Sequence, residues 1–182
     1  MKNAIIFHGS GCTPNLYWFP YLKGELEKRG FNVWVPQLPN PNGERLVDWL
    51  PFALKRGNYN EETVLVGHSS GAPLILSVLE KLEAPIKLAI LVSGFSRPIS
   101  DVPKPILQKS YNWGKIKANC KSFIFINSDN DPWGCDDKQG KYMQEHLGGE
   151  LIVKHDGHMG STSFNQPYKE FPLLVELIEK HY

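Results

Sequence analysis

The sequence contains few cysteines and no excess of charge of either sign. Three cysteines occur in 182 residues, and no pair has Cys-x-x-Cys spacing. This number favours reduced thiols in the cytoplasm, with one bridge plus one free thiol as the alternative. Lysine and arginine total 20 against 19 acidic residues. Because no basic excess is available to hold a polyanion, we expect no nucleic-acid partner.

Long apolar stretches are also missing. No run approaches the ~18 apolar residues that a membrane helix needs, so we expect no membrane association. At the start of the chain, four apolar residues, Ala4 to Phe7, follow Lys2 and Asn3. Four are too few for a signal peptide. These absences predict a cytoplasmic globular protein.

Short apolar runs alternate with longer amphipathic segments along the chain. Six runs are mostly apolar on both faces, as in strands of a sheet that is covered on both sides. These runs are residues 3–7, 31–35, 63–67, 87–93, 122–128 and 150–154. Helices are predicted near 18–29, 44–57, 70–82, 136–147 and 167–180. The alternation predicts a single α/β domain over residues 1–182, a three-layer sandwich with a mainly parallel six-stranded sheet. Residues 94–111, with three prolines, are expected to form an irregular loop over the sheet edge.

The sequence Gly67-His68-Ser69-Ser70-Gly71 lies between the third predicted strand and the third predicted helix. Gly-x-Ser-x-Gly at this position is typical of a nucleophile elbow, a sharp turn that holds the serine in a strained conformation. Glycines flank such a serine because side chains there would clash with the neighbouring strand and helix. The motif predicts Ser69 as a nucleophile at the carboxyl edge of the sheet. The alternative is an ordinary turn between strand and helix.

A serine hydroxyl becomes a good nucleophile only when a neighbouring base accepts its proton. In proteins with this kind of nucleophile elbow, an acidic residue and then a histidine follow strands that come later in the chain. Asp131 is the predicted acid, whereas Asp129, next to the strand end, is expected to cap a turn. His158, between two glycines, is the predicted base, whereas His155 is expected to be held in or beside the sheet. The two histidines could instead bind a metal, but no third ligand cluster is near in sequence. We therefore expect no metal and no cofactor.

Acyl transfer places negative charge on the former carbonyl oxygen, and backbone N–H groups usually stabilise it. We expect one such group from Ser70 and another from Ser10, in the glycine-rich loop between His8 and Cys12. This loop lacks the spacings of nucleotide-binding loops, so a phosphate site is the weaker interpretation. Aromatic residues on loops at the same edge either line an apolar acyl pocket or simply cover the sheet. They are Phe95, Tyr111, Trp113 and Trp133.

Two further segments are Asp48-Trp-Leu-Pro-Phe52 and Trp113-Gly-Lys-Ile-Lys-Ala-Asn-Cys120. The second is the more specific, since general hydrolase mechanics do not require it. Together with residues 67–72, Ser128-x-x-Asp131-Pro132 and Gly157-His158, they extend over nearly the whole chain. In these features the sequence resembles the small serine hydrolase family of the retinoblastoma-binding serine hydrolase type. The resemblance implies a compact α/β-hydrolase fold without a large lid domain, and a triad of Ser69, Asp131 and His158.

The sequence departs from this family at two points. A Leu-x-Cys-x-Glu motif is absent, because none of the three cysteines has a leucine two residues before it. We therefore expect no retinoblastoma-type partner. The first loop begins with His8 where the family leads us to expect proline, and this bears on the geometry of the Ser10 amide.

The predicted activity is carboxylesterase-like hydrolysis of an ester, thioester or amide of a small-molecule acyl substrate, through an acyl-enzyme formed on Ser69. Two alternatives belong to other classes. A non-catalytic binding protein could keep the scaffold, although the intact set of serine, aspartate and histidine argues against it. An acyltransferase could use the same triad in a drier pocket.

Overall fold

The computed structural model describes all 182 residues, Met1–Tyr182. Its strands are β1 (Asn3–Phe7), β2 (Asn32–Trp34), β3 (Thr63–His68), β4 (Ile86–Val92), β5 (Cys120–Ser128) and β6 (Glu150–Lys154). Its helices are α1 (Phe19–Lys28), α2 (Leu46–Arg56), α3 (Gly71–Lys81), α4 (Trp113–Ala118), α5 (Asp137–Leu147) and α6 (Pro172–Glu179). None of these helices has the length and hydropathy needed to cross a bilayer.

All six strands are parallel and lie in the order β2-β1-β3-β4-β5-β6. The α/β fold with a parallel six-stranded sheet is thus confirmed. The chain runs from β1 outward to β2 and then returns to place β3 on the other side of β1. Ligand crevices of parallel sheets form where the strand order reverses in this way. Phe7 pairs with Gly67 at this point, so the loops that follow β1 and β3 lie side by side.

Each face of the sheet has its own apolar core. On one face, α2, α3, α4 and α5 pack over a cluster that includes Trp49, Leu65 and Phe125. On the other face, α1 and α6 pack over a cluster that includes Trp18 and Val66. Each fully buried large apolar side chain contributes about 1.5–3 kcal/mol through removal from water. The sheet is therefore the middle layer of three, as predicted.

Helix α4 is the one helix that the apolar pattern did not predict. It has six residues, and Ile116 is its only buried side chain. The Asn112 side chain caps its start by accepting a hydrogen bond from the Lys115 N–H at 3.0 Å. One buried position gives no 3.6-residue periodicity, which explains why the helix was missed. Residues 94–111 contain neither helix nor strand, in agreement with the prediction.

Candidate active site

The turn after β3 holds Ser69 in a strained conformation. Its φ angle is 52°, in the left-handed region that residues other than glycine rarely adopt. A Cβ atom at Gly67 would lie 2.6 Å from the carbonyl oxygen of Gly71, and one at Gly71 would collide with the carbonyl group of Phe7. Both glycines are therefore required by close backbone approach. The geometry is that of a nucleophile elbow between a buried strand and a buried helix.

Asp131 and His158 form a buried hydrogen-bonded pair. Nδ1 of His158 lies 2.7 Å from Oδ2 of Asp131, and the two side chains are 6% and 0% exposed. The other carboxylate oxygen accepts the backbone N–H of Trp133 at 2.8 Å. Nε2 of His158 makes no hydrogen bond within the protein, and the residue lines the same cavity as Ser69. This nitrogen is thus free to meet a group in the cavity.

Asp129 and His155, which were not predicted to be catalytic, form a hydrogen bond with each other. Their Oδ1 and Nδ1 atoms are 2.6 Å apart, but the side chains are 52% and 78% exposed. Neither residue lines the cavity that contains Ser69. His155 follows β6 directly, yet its side chain points into solvent instead of being held beside the sheet.

The backbone of His158 is held from both sides. Its carbonyl oxygen accepts hydrogen bonds from Nε2 of His68 at 3.0 Å and from the hydroxyl of Ser93 at 2.9 Å. Its N–H donates to the side chain of Gln166 at 2.8 Å. None of these three partners is predicted from the sequence. Ser93 could have been noticed because it follows β4 at the same sheet edge, whereas nothing in the sequence points to Gln166.

His68, inside the Gly-x-Ser-x-Gly motif, is fully buried among three aromatic rings. Burial lowers the pKa of its imidazole to about 3, because a charged ring loses its hydration there. The ring is therefore neutral near pH 7. As a neutral donor, it orients the backbone of His158 without adding charge to the site.

The loop after β1 is fixed by a second buried histidine. Nδ1 of His8 donates to the carbonyl of Gly9 at 2.8 Å, and Nε2 accepts the N–H of Leu38 at 3.0 Å. Desolvation lowers the pKa of His8, which favours the neutral ring that this pattern requires. In place of the expected proline, His8 thus ties the loop to the segment after β2. The N–H groups of Ser10 and Ser70 donate to no backbone carbonyl, and both residues line the cavity.

The cavity beside Ser69 has a volume of about 280 Å³. Two of the four aromatic residues suggested for it, Phe95 and Trp133, line its wall. Phe95 is 1% exposed, whereas Trp133 is 44% exposed and lies at the mouth. Hydroxyl groups form much of the remaining lining, which includes Ser161, Thr162 and Ser163.

The other two aromatic residues lie elsewhere, and for them the pocket prediction needs correction. Tyr111 and Trp113 line a separate cavity of about 510 Å³. The ring of Trp113 packs against the ring of His146 in α5 at an interplanar angle of 36°, with centroids 4.6 Å apart. The loop over residues 94–111 has by then left the carboxyl edge of the sheet, so both rings pack beside α4 and α5.

Three possible metal ligands, Asp131, Cys135 and His158, lie within 4.8 Å of one another. The facing atoms of the aspartate and the histidine already bond to each other. Burial, with a further contribution from the Asp131 charge, raises the pKa of the Cys135 thiol well above its usual value. A protonated thiol is a poor metal ligand. The donor set is therefore better suited to the hydrogen-bonded pair than to an ion.

Comparisons with known proteins identify the family of this chain. The family described as Serine hydrolase matches residues 4–178. The serine hydrolase RBBP9 of Rattus norvegicus is 29% identical over 167 residues, which cover 87% of this chain and 87% of that protein. YdeN of Bacillus subtilis is 30% identical over 190 aligned positions, covering 100% of this chain and 96% of YdeN.

Solved structures show the same fold. The crystal structure of the ydeN gene product from B. subtilis superposes with a TM-score of 0.90 at 29% identity, covering 100% of this chain and 98% of that one. Est1E from Butyrivibrio proteoclasticus shares the fold, with a TM-score of 0.71 at 12% identity, covering 99% of this chain and 87% of that one. The chain is therefore a hydrolase with the α/β-hydrolase fold, and it belongs to the serine hydrolase family.

Proposed function

We propose that this protein cleaves an ester, thioester or amide bond of a small substrate through an acyl-enzyme formed on Ser69. One observation carries the proposal. A strained serine and a histidine held by a buried carboxylate meet in a single cavity. Strained backbone persists only where the surrounding structure enforces it, and it is concentrated at functional sites.

In the acylation step, Oγ of Ser69 attacks the carbonyl carbon of the substrate while Nε2 of His158 accepts the hydroxyl proton. The tetrahedral intermediate then collapses. The bond to the leaving group breaks, and His158 returns the proton to that group. Asp131 keeps Nδ1 protonated and stabilises the imidazolium that forms. Water repeats the sequence on the acyl-enzyme and releases the acid.

The backbone N–H groups of Ser10 and Ser70 would stabilise the oxyanion. Both lack a backbone acceptor and both residues border the cavity. The start of α3 adds the positive end of a helix dipole at the same place. Losing one such donor typically lowers kcat by about 10²- to 10³-fold, so this pair of amides would supply a large part of the rate.

The lining of the cavity supports a small, partly apolar substrate. Phe95 offers a buried apolar wall, and the exposed ring of Trp133 lies beside the ring of His158, with centroids 6.4 Å apart. Because His158 faces the leaving group, Trp133 would contact the alcohol or amine part of the substrate. The exposed mouth admits water, which favours hydrolysis over acyl transfer.

A fluorophosphonate probe tests the proposal directly. We expect it to label Ser69, with the site identified by peptide mass spectrometry. Ser69→Ala should abolish both labelling and turnover of an aryl ester while leaving the circular dichroism spectrum unchanged. Ser122→Ala, at the amino end of β5, is the matched control and should keep both. Unchanged labelling in Ser69→Ala would overturn the assignment.

The type of bond that is cleaved needs a second assay. Aryl esters of graded acyl length, with matched aryl amides and thioesters, would be compared by kcat/KM. We expect short acyl chains to be preferred, because the cavity holds only about 280 Å³. A preference that rises steadily with chain length would contradict the proposed pocket.

A further inference from the structure

A buried carboxylate that the proposed mechanism does not use lies beside the elbow. Glu44, in the loop before α2, is 5% exposed. Its Oε2 accepts a hydrogen bond from the hydroxyl of Ser70, and its Oε1 lies 3.2 Å from Nζ of Lys104. Both oxygens of the carboxylate therefore have partners. Lys104 also lines the cavity that contains Ser69.

Two unfavourable features coincide at Glu44. Burying a carboxylate is unfavourable unless charged or hydrogen-bonding partners compensate. The residue also has a φ angle of 38°, in the left-handed region that disfavours its side chain. A chain that only needed a turn here could use glycine or asparagine at no such penalty. The combination therefore points to a role for the carboxylate itself.

The loop that carries Glu44 is anchored on both sides. The N–H of Glu44 donates to the carbonyl of Asn40 at 3.3 Å, and the N–H of Leu46 donates to the carbonyl of Pro105 at 3.2 Å. The second bond joins this loop to the segment that bears Lys104. The carboxylate is thus a fixed acceptor, held in place before any substrate arrives.

Ser70 connects this acceptor to the reaction. It follows Ser69 directly, is 2% exposed, and carries one of the two amides that we assign to the oxyanion. The bond to Glu44 holds its side chain in one rotamer. Because the amide nitrogen and Cβ of Ser70 are bonded to the same Cα atom, anchoring the hydroxyl to a fixed Glu44 carboxylate also limits rotation of the peptide that carries the Ser70 N–H.

We propose that Glu44 is a positioning residue that holds the peptide between Ser69 and Ser70, so that the Ser70 N–H points at the developing oxyanion. Lys104 completes the arrangement, since its charge balances a carboxylate that would otherwise repel the oxyanion. The inference rests on the proposed nucleophilic role of Ser69. It adds residues that neither the elbow motif nor the triad includes.

The test measures kcat and KM on a neutral aryl ester with the full chain. Glu44→Ala should lower kcat by about 10- to 100-fold, the scale of a misplaced oxyanion donor, and leave KM near its wild-type value. Glu44→Gln keeps an acceptor oxygen and should recover most of the activity. Ser70→Ala should lower kcat as much as Glu44→Ala does. The double variant should lose no more activity, because both substitutions remove the same hydrogen bond between Ser70 and Glu44.

A second set of variants tests whether the charge of Lys104 balances that of Glu44. Lys104→Met leaves the carboxylate unpaired near the oxyanion and should lower kcat, and adding Glu44→Gln should restore it. Glu62→Ala is the matched control. Glu62 also pairs with a lysine, Lys87 at 2.9 Å, but at the amino end of β3, so kcat should not change.

Wild-type kcat in Glu44→Ala, or losses that multiply in the double variant, would overturn the inference even if Ser69→Ala is inactive. An active Ser69→Ala would instead overturn the proposed function. If Glu44→Ala fails to fold by circular dichroism, Ser70→Ala decides. Wild-type kcat in that variant would show that the bond positions nothing.

Discussion

At the scale of single residues, burial distinguishes two aspartate–histidine pairs that have nearly equal hydrogen-bond distances. The pair of Asp131 and His158 is 2.7 Å long and buried, and the pair of Asp129 and His155 is 2.6 Å long and exposed. Water and salt weaken the exposed pair, whereas a low dielectric strengthens the buried one. Only the buried pair can hold an imidazole in one tautomer and one orientation.

Replacing the two histidines tests this difference. His158→Ala should remove nearly all turnover of an aryl ester, because no base would remain beside Ser69. His155→Ala should keep the wild-type kcat/KM, since its side chain is 78% exposed and outside the cavity. Equal losses in two folded variants would mean that the wrong histidine has been assigned.

The two aspartates give a parallel prediction. Asp131→Asn removes the acceptor that keeps Nδ1 of His158 protonated, so the ring can adopt the wrong tautomer. We expect kcat to fall by about 10⁴-fold, as in the serine proteases. Asp129→Asn should change kcat little, since the Asp129 side chain bonds to the exposed His155 and lies outside the cavity. A large loss in Asp129→Asn would contradict the assignment of the acid.

At the scale of elements, the elbow depends on how closely β1, β3 and α3 approach. The first residue of α3, Gly71, packs against the carbonyl group of Phe7 at the end of β1. A side chain at that position would push the helix away from the sheet. The position of Ser69 is therefore set by contact between backbones, beyond what the turn alone requires.

Two glycine substitutions should act in opposite directions. Gly71→Ala should lower the free energy of unfolding by about 1–3 kcal/mol, because overpacking forces the backbone to shift. Gly24→Ala lies inside α1, where a Cβ atom would meet nothing within 4 Å. It should raise that free energy by about 0.5–1 kcal/mol, since alanine favours helices over glycine. Urea unfolding would measure both, and stabilisation by Gly71→Ala would contradict the packing argument.

At the scale of the whole molecule, two buried histidines make stability depend on pH. Burial lowers the pKa of His68 from 6.5 to about 3, and also lowers that of His8. At pH values well above 6.5 both rings are neutral in the folded and the unfolded chain, so their contribution is constant. As the pH falls below that value, the unfolded chain takes up protons that the folded protein excludes. Acid therefore favours unfolding.

We expect the free energy of unfolding to fall by up to about 1.4 kcal/mol per pH unit between pH 6 and 4 because of His68, and the lowered pKa of His8 acts in the same direction. Urea unfolding at a series of pH values would measure this slope. His68→Gln should flatten it, whereas His155→Gln, at an exposed position, should not. The same slope in all three proteins would mean that His68 is protonated in the folded state.

The amino-acid sequence by itself determined most of the fold. Six apolar runs became six strands, and their alternation with helices required parallel pairing. The glycines around Ser69 likewise marked the elbow through their spacing, although the clash that Gly71 avoids is with Phe7 of β1. Such features depend on the spacing of residues that are close together in the chain, and the sequence shows this spacing directly. Helix α4 escaped notice because one buried residue makes no pattern.

Only the tertiary structure decided which side chains meet at the site. Glu44 bonds to a serine 26 positions away, and Gln166 supports His158 from a loop with no regular pattern. Tyr111 and Trp113 lie outside the expected pocket because the proline-rich loop that precedes them leads towards α5. These contacts join loops that are distant in sequence, and they form only after strand order and helix packing have brought the strand ends together. No periodicity or residue spacing within a short segment of the sequence predicts these contacts.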